Sequence, residues 1–154
     1  MNFADVLNTS VESVERPPLV PPGTYVTSVR RIDFGSLSDG KWETVDFLLG
    51  FISAMENVDQ DELVKYGPLT STTRRHRFMF NTESTDEAKQ QNARTQFNLK
   101  TFLTGHLGLP PAGSFKELIA SAMNQQCLAD VNWRPDPRNP EIIYDEIKRT
   151  APLA

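Results

Sequence analysis

The sequence predicts a mainly β domain of five strands with a helical insertion after the third. Three observations carry this. Stretches rich in β-branched and aromatic residues occur at 23–35, 42–55 and 71–80. A long run with apolar residues at 3–4 spacing follows at 84–107. Strand-like sequence then returns at 126–136 and 141–151. A chain of 154 residues is long enough for one domain with a real core. Its 38% hydrophobic content and 11 prolines suggest a compact body with extended loops or a loose terminus. There is no internal repeat.

Residues 1–22 read as an N-terminal extension and proline-rich linker, ahead of a body over 23–154. "FADVLN" is a short amphipathic piece, and "ERPPLVPP" sets four prolines in six positions, favouring extended backbone with little to bury. "GTYVTSVRRIDFG" is the first strand, bounded by Gly23 and Gly35, and Asp39-Gly40 signals a hairpin. In "WETVDFLLGFISAM" the odd positions Val45, Phe47, Leu49 and Phe51 make an apolar face, while Trp42, Thr44 and Asp46 make a mixed one. "QDELVKYGPL" predicts a short helix closed by Gly67-Pro68, and "STTRRHRFMF" the third strand.

The helix over 84–107 has Ser84 or Thr85 as N-cap, an apolar stripe of Ala93, Phe97, Leu99, Phe102, Leu103 and Leu107, and a stop at Gly108 and Pro110. A second short helix over 114–123 carries the capping-box pair Ser114 and Glu117. "PDPRNP" turns the chain between the last two strands. This order is the connectivity of an OB-fold, a five-stranded Greek-key barrel with one long and one short helix between strands three and four.

No apolar run reaches membrane-spanning length, and "MNFADVLNTS" lacks the basic and apolar regions of a signal peptide, so a cytoplasmic protein with no membrane partner is expected. The lone Cys127 agrees and reads as a small buried hydrophobe. Cys127, His76 and His106 are too few for a zinc site without carboxylate help, and no other cofactor is expected. The sequence holds no P-loop or GxGxxG, and Asp59 and Asp61 lack a nearby histidine, so no enzymatic activity is expected.

Charge is segregated. Glu56, Asp59, Asp61 and Glu62 account for the whole net charge of −4. Cations cluster elsewhere, as Arg30-Arg31, Arg74-Arg75-His76-Arg77 and Arg134 with Arg138. Basic clusters on a neutral body suit an anionic partner. The acidic segment reads as a solvated loop, or as a competitor of that partner for the basic strand.

The stretch "RRHRFMF" joins cations to aromatics, the two things a single nucleic-acid strand requires for its phosphates and its bases. By alternation Phe78 and Phe80 enter the core with Arg74 and His76 on their side, and Arg75, Arg77 and Met79 face outward. Trp42 shares that outer face, with Lys41 beside it, and Arg30 or Arg31 extends it; Trp133-Arg134 repeats the pairing on strand four. The candidate nucleic-acid-binding residues are therefore Arg30, Arg31, Lys41, Trp42, Arg75, Arg77, Trp133 and Arg134. The competing roles are plain ones. The arginines would form a charged edge that resists aggregation, and Trp42, Trp133 and Tyr144 would be core residues. His76 would be a strand surface residue, and His106 would stabilise a helix end.

With these residues in view, the chain resembles phage-encoded OB-fold single-stranded-DNA-binding proteins. The resemblance rests on "FADVLNT", "PPGTYVTSV", "WETVDFLLGFISAMENVDQDEL", "RHRFMFNTE" leading to "FLTGHLGLP", and "NPEIIYDEIKRTAPL", and it covers most of the chain. It implies a protein that coats and protects single-stranded DNA in phage replication or recombination, largely without sequence preference, in the host cytoplasm. Its partners would be single-stranded DNA, replication or recombination proteins, and further copies of itself. "KRTAPLA" departs from the wider class, whose recruiting tail is acidic. The alternative expectation is a virion or scaffold interaction protein that uses a small β-barrel and binds no nucleic acid.

Overall fold

The computed structural model describes residues 2–14 and 16–153; residues 1 and 15 of the predicted extension and residue 154 lie outside the described residues. After helix α1 (Phe3–Asn8) and a 3-10 turn (Val11–Ser13) come strands β1 (Gly23–Leu37) and β2 (Trp42–Ala54), helix α2 (Gln60–Tyr66) and strand β3 (Thr73–Asn81). Helix α3 (Asp86–Lys100) passes into a π-helical turn (Thr101–His106), and helix α4 (Phe115–Ala120) leads to strands β4 (Gln126–Pro135) and β5 (Ile143–Ala151). Each predicted strand lies within two residues of its observed bounds.

The five strands form one antiparallel sheet in the order β3-β2-β1-β4-β5. The β1–β2 hairpin turns through Ser38, Asp39 and Gly40, all at positive φ (53°, 55° and 88°), and Lys41 N–H donates to Ser38 O at 3.1 Å. Against β2, the register of β1 slips between Val29 and Arg31, a bulge at Arg30. Arg30 lies across Gly50, where a Cβ would collide with its side chain, so a bare backbone there gives the arginine its seat.

The expected five-stranded barrel is met in part: the five strands form one antiparallel sheet, and that sheet is not closed. Edges β3 and β5 form no ladder; by the antiparallel pairings they run in the same direction and face each other across a seam. Side chains bridge it. Arg74 of β3 donates to both carboxylate oxygens of Asp145 on β5, at 2.6 and 2.9 Å.

The main core lies between the sheet and the helical insertion: Val29, Val45, Phe47, Leu49 and Phe78 pack against Leu99, Phe102, Leu103 and Leu107. Burying each such side chain is worth about 1.5–3 kcal/mol. Cys127 is buried as expected; burial pushes its thiol pKa up, against a hydrogen bond to Thr27 that pulls it down. Among the described residues no helix is long and apolar enough to cross a membrane.

Two expectations for the insertion are corrected. Ala93 and Phe97 are exposed, because α3 turns Ala88 and the amides of Gln91 and Asn92 toward the sheet. Asn92 bonds the backbone of Asn81 in both directions, at 2.7 and 2.9 Å. The predicted α-helix also ends at Lys100. Beyond it the Thr101 and Thr104 hydroxyls donate to the carbonyls of Phe97 and Lys100, Gly105 weakens the turn, and Leu107 N–H reaches back five residues to Phe102 O.

A second, smaller cluster gathers Val20, Tyr25, Phe51, Val58 and Val131. Here the expectation that 16–22 buries little is corrected, since Val20 and Pro21 are fully buried. Val20 N–H donates to Asp145 at 2.7 Å, Trp133 Nε1–H donates to Val20 O at 2.7 Å, and Tyr25 O–H donates to Pro21 O at 2.6 Å. Gly23, at φ 139°, lets this strand start pass under Val58, 2.6 Å from where a Cβ would stand. Residues 2–14, in contrast, are exposed throughout.

Candidate nucleic-acid interface

β3 places its side chains as the alternation predicts. Arg74, His76 and Phe78 stand opposite Leu49, Phe47 and Val45 on the inner face. Arg75, Arg77 and Met79 stand opposite Leu48, Asp46 and Thr44 on the outer one, and half-buried Trp42 lies opposite Asn81 at its end.

His76 is not the surface residue expected. Its ring lies 4.9 Å from that of Phe78 and 5.0 Å from that of Phe102. Burial, and then the nearby His106, lower its pKa to about 4. His106 Nδ1 lies 2.7 Å from Thr150 Oγ1 on β5, and burial lowers its pKa as well. Both imidazoles are therefore neutral at pH 7, and the positive charge here belongs to arginine and lysine alone.

Most of the predicted cations are already partnered. Arg77 makes a bidentate pair with Asp46 at 2.7 and 2.9 Å. Arg31 meets Asp33 at 3.0 Å, and Arg134 meets Glu146 at 2.9 Å. Lys41 lies 3.9 Å from Glu83, with its ammonium 5.8 Å from the Trp42 ring centre. Of the six predicted cations, only Arg30 and Arg75 form no ion pair among the described residues. Trp133 is 41% exposed, and its indole N–H donates to Val20 O.

The β3–β5 seam brings together what the outer face does not. Between β3, the π-helical turn and the end of β5 lies a groove of about 700 Å³, with Trp42, Met79 and Phe102 among its walls and Arg94 of α3 on its rim. Further along the seam a second groove of about 640 Å³ runs past Arg75, Tyr144 and Arg134. The two share His76, Arg77 and Lys148, so they are one path along the seam. Arg75, Arg94 and Lys148 are exposed, and none forms an ion pair among the described residues. Arg149, also on the path, is bound to Asp130 at 2.6 Å.

Arg74 and Asp145 cross the floor of this path. Burial pulls the Asp145 carboxyl upward in pKa, but the Arg74 guanidinium and the Val20 N–H outweigh it and hold the group below the usual carboxylate range. Arg74, held by Asp145, is raised.

Sequence reasoning missed Arg94 and Lys148 on this path and left Tyr144 out of the binding set, although Tyr144 and Lys148 line the same groove as Arg75. Lys148-Arg149 on the last strand was the one local signal available. Asp59 of the acidic segment caps α2, accepting from Glu62 N–H at 3.1 Å, and none of the segment's four acids pairs with a β3 arginine among the described residues. Among the described residues no group of three or more His, Cys, Asp or Glu side chains is placed to hold a metal ion. No protein-family model matches the sequence, and no curated protein matches it.

Proposed function

We propose that the chain binds single-stranded nucleic acid, DNA above all, along the β3–β5 seam, and that its sheet is an OB-type Greek-key barrel left open there. The observation that carries this reading is the co-location of Arg75, Arg94 and Lys148, which form no ion pair among the described residues, with Trp42 and Tyr144 along the seam. Phosphates would lie on the three cations, releasing counterions. Bases would stack on the two aromatics, each worth about 1–3 kcal/mol. Contacts to phosphates and to base faces carry no sequence information, so binding through them is largely sequence-independent. The five-stranded order fits the partly open barrel that binds oligonucleotides in many settings. The role that follows is coating and protecting single strands during phage replication or recombination in the host cytoplasm, without catalysis or cofactor.

Titration with an oligothymidylate while following tryptophan fluorescence tests this. We expect quenching at Trp42 and an affinity that falls linearly with salt on logarithmic axes. Absence of salt-sensitive binding would sink the reading and favour the virion or scaffold alternative.

A further inference from the structure

We propose that residues 2–14 form an arm that docks in the seam groove of a second copy of this chain, and that single-stranded nucleic acid displaces it. The displacement rests on the function proposed above; the self-association does not. Phe3 (72% exposed), Val6 (50%), Leu7 (68%), Val11 (87%) and Val14 (67%) all stand in solvent. So dense an exposed apolar set marks a contact surface. The helix that presents it is nevertheless specified, for Asn2 and Asp5 close a reciprocal capping box at 2.9 and 3.2 Å. Phe3, Val6 and Leu7 fall on one side of α1, and a helix this short gains stability only by docking.

The root of the arm is fixed while its tip is not. Val20 and Pro21 are clamped into the body, and Pro17 and Pro18 stiffen what precedes them. The arm leaves at the Tyr144 end of its own groove, with the Arg16 guanidinium 5.3 Å from the Tyr144 ring centre, and every apolar side chain of α1 stays exposed beyond it. The surface it covers therefore lies on another molecule.

Charge and chemistry select the groove as that surface. Residues 2–14 carry Asp5 and Glu12 and no cation. The groove offers Arg75, Arg94 and Lys148 above a floor of Phe102 and Met79 that suits Phe3. An acidic arm with an aromatic near its tip presents the groove with the same two features as a nucleic-acid strand. Arm into groove is a heterologous contact, which adds chains head to tail or closes by reciprocal exchange.

Sedimentation of the full chain, of a variant lacking residues 2–14, of Phe3→Ala/Leu7→Ala and of Arg75→Glu/Lys148→Glu tests this, each with and without an oligothymidylate. The altered side chains Phe3, Leu7, Arg75 and Lys148 are all exposed, and circular dichroism checks each fold. We expect the full chain to associate as concentration rises, and both substituted variants to associate about tenfold more weakly or worse. Oligothymidylate should return the full chain to single copies, and loss of the arm should tighten oligothymidylate binding. Identical sedimentation of the full chain and the arm-less variant would overturn the arm. Association that needs the arm but ignores both Arg75→Glu/Lys148→Glu and bound oligothymidylate would overturn the groove as its seat. If no variant binds oligothymidylate while association still depends on arm and groove, the docking stands and the nucleic-acid reading fails.

Discussion

The outer face of β1–β3 and the β3–β5 seam are both rich in arginine and lysine, yet they differ in what those cations already hold. On the outer face away from the seam Arg31 has Asp33 and Lys41 has Glu83, and Arg77, where that face meets the seam, has Asp46. Along the seam Arg75, Arg94 and Lys148 have no carboxylate of their own among the described residues. A paired guanidinium must give up a partner before it takes a phosphate, and an unpaired one gives up only water. The seam has paired cations too, Arg74, Arg77, Arg134 and Arg149, and Arg30 off the seam forms no ion pair among the described residues, so what singles out the seam is three such cations on one path. The seam is also lined by aromatic rings, since Phe102 and Phe78 both border its groove with ring centres 5.5 Å apart.

The largest effect that sharpens this contrast concerns the seam's neutral histidine. The unfolded imidazole of His76 takes a proton near pH 6.5, while the folded one takes it only near 4. Between those values the unfolded state holds more protons, so stability is full above pH 6.5 and falls as pH drops toward 4, by about 3 kcal/mol. His106, also lowered, acts in the same direction. Urea midpoints from pH 8 to 4 should show this decline, and His76→Leu should flatten it. An unchanged pH profile in that variant would mean that His76 is not the half-buried, desolvated group described.

Next in size is the bridge across the seam. Asp145→Ala removes the acceptor of both Arg74 and the Val20 N–H and should cost about 2 kcal/mol, read as a shift in urea midpoint. A loss under about 0.5 kcal/mol, the range of ordinary surface changes, would mean that the edges stay together without this pair.

The smallest effect belongs to the outer face. Arg31→Ala should change stability by about 0.5 kcal/mol or less, because its pair with Asp33 is exposed. It should leave oligothymidylate affinity and its salt slope unaltered. A marked fall in the slope would move the phosphate path back to the outer face and break the contrast.

The strands were legible because alternation is a local signal: Val45, Phe47, Leu49 and Phe51 declare an inner face without reference to the rest of the chain. The Ser114 N-cap was legible for the same reason, and its Oγ accepts from Glu117 N–H at 3.2 Å, although the Glu117 side chain does not return the bond that the expected capping box requires. The stripe through Ala93 and Phe97 misled because α3 packs its first turns through amides, and the Asn92–Asn81 contact has no apolar spacing to betray it. Pairing was not legible at all. Asp46 is 31 residues from Arg77, and Asp145 is 71 from Arg74, so only topology shows which arginines are occupied. The groove was hidden for the same reason. It belongs to two edges that meet only when the sheet bends, which sets Lys148 and Tyr144 beside a strand more than sixty positions earlier.

The claim that unpaired seam cations hold the phosphates is tested most directly by one comparison of salt slopes. Oligothymidylate affinity should be measured across a range of salt for the full chain and for the triple variant Arg75→Ala/Arg94→Ala/Lys148→Ala. We expect a folded variant that binds more weakly, with a log-affinity against log-salt slope flatter by about 2, since each phosphate contact on a single strand contributes roughly 0.7. A folded triple variant with unchanged affinity and slope would contradict it.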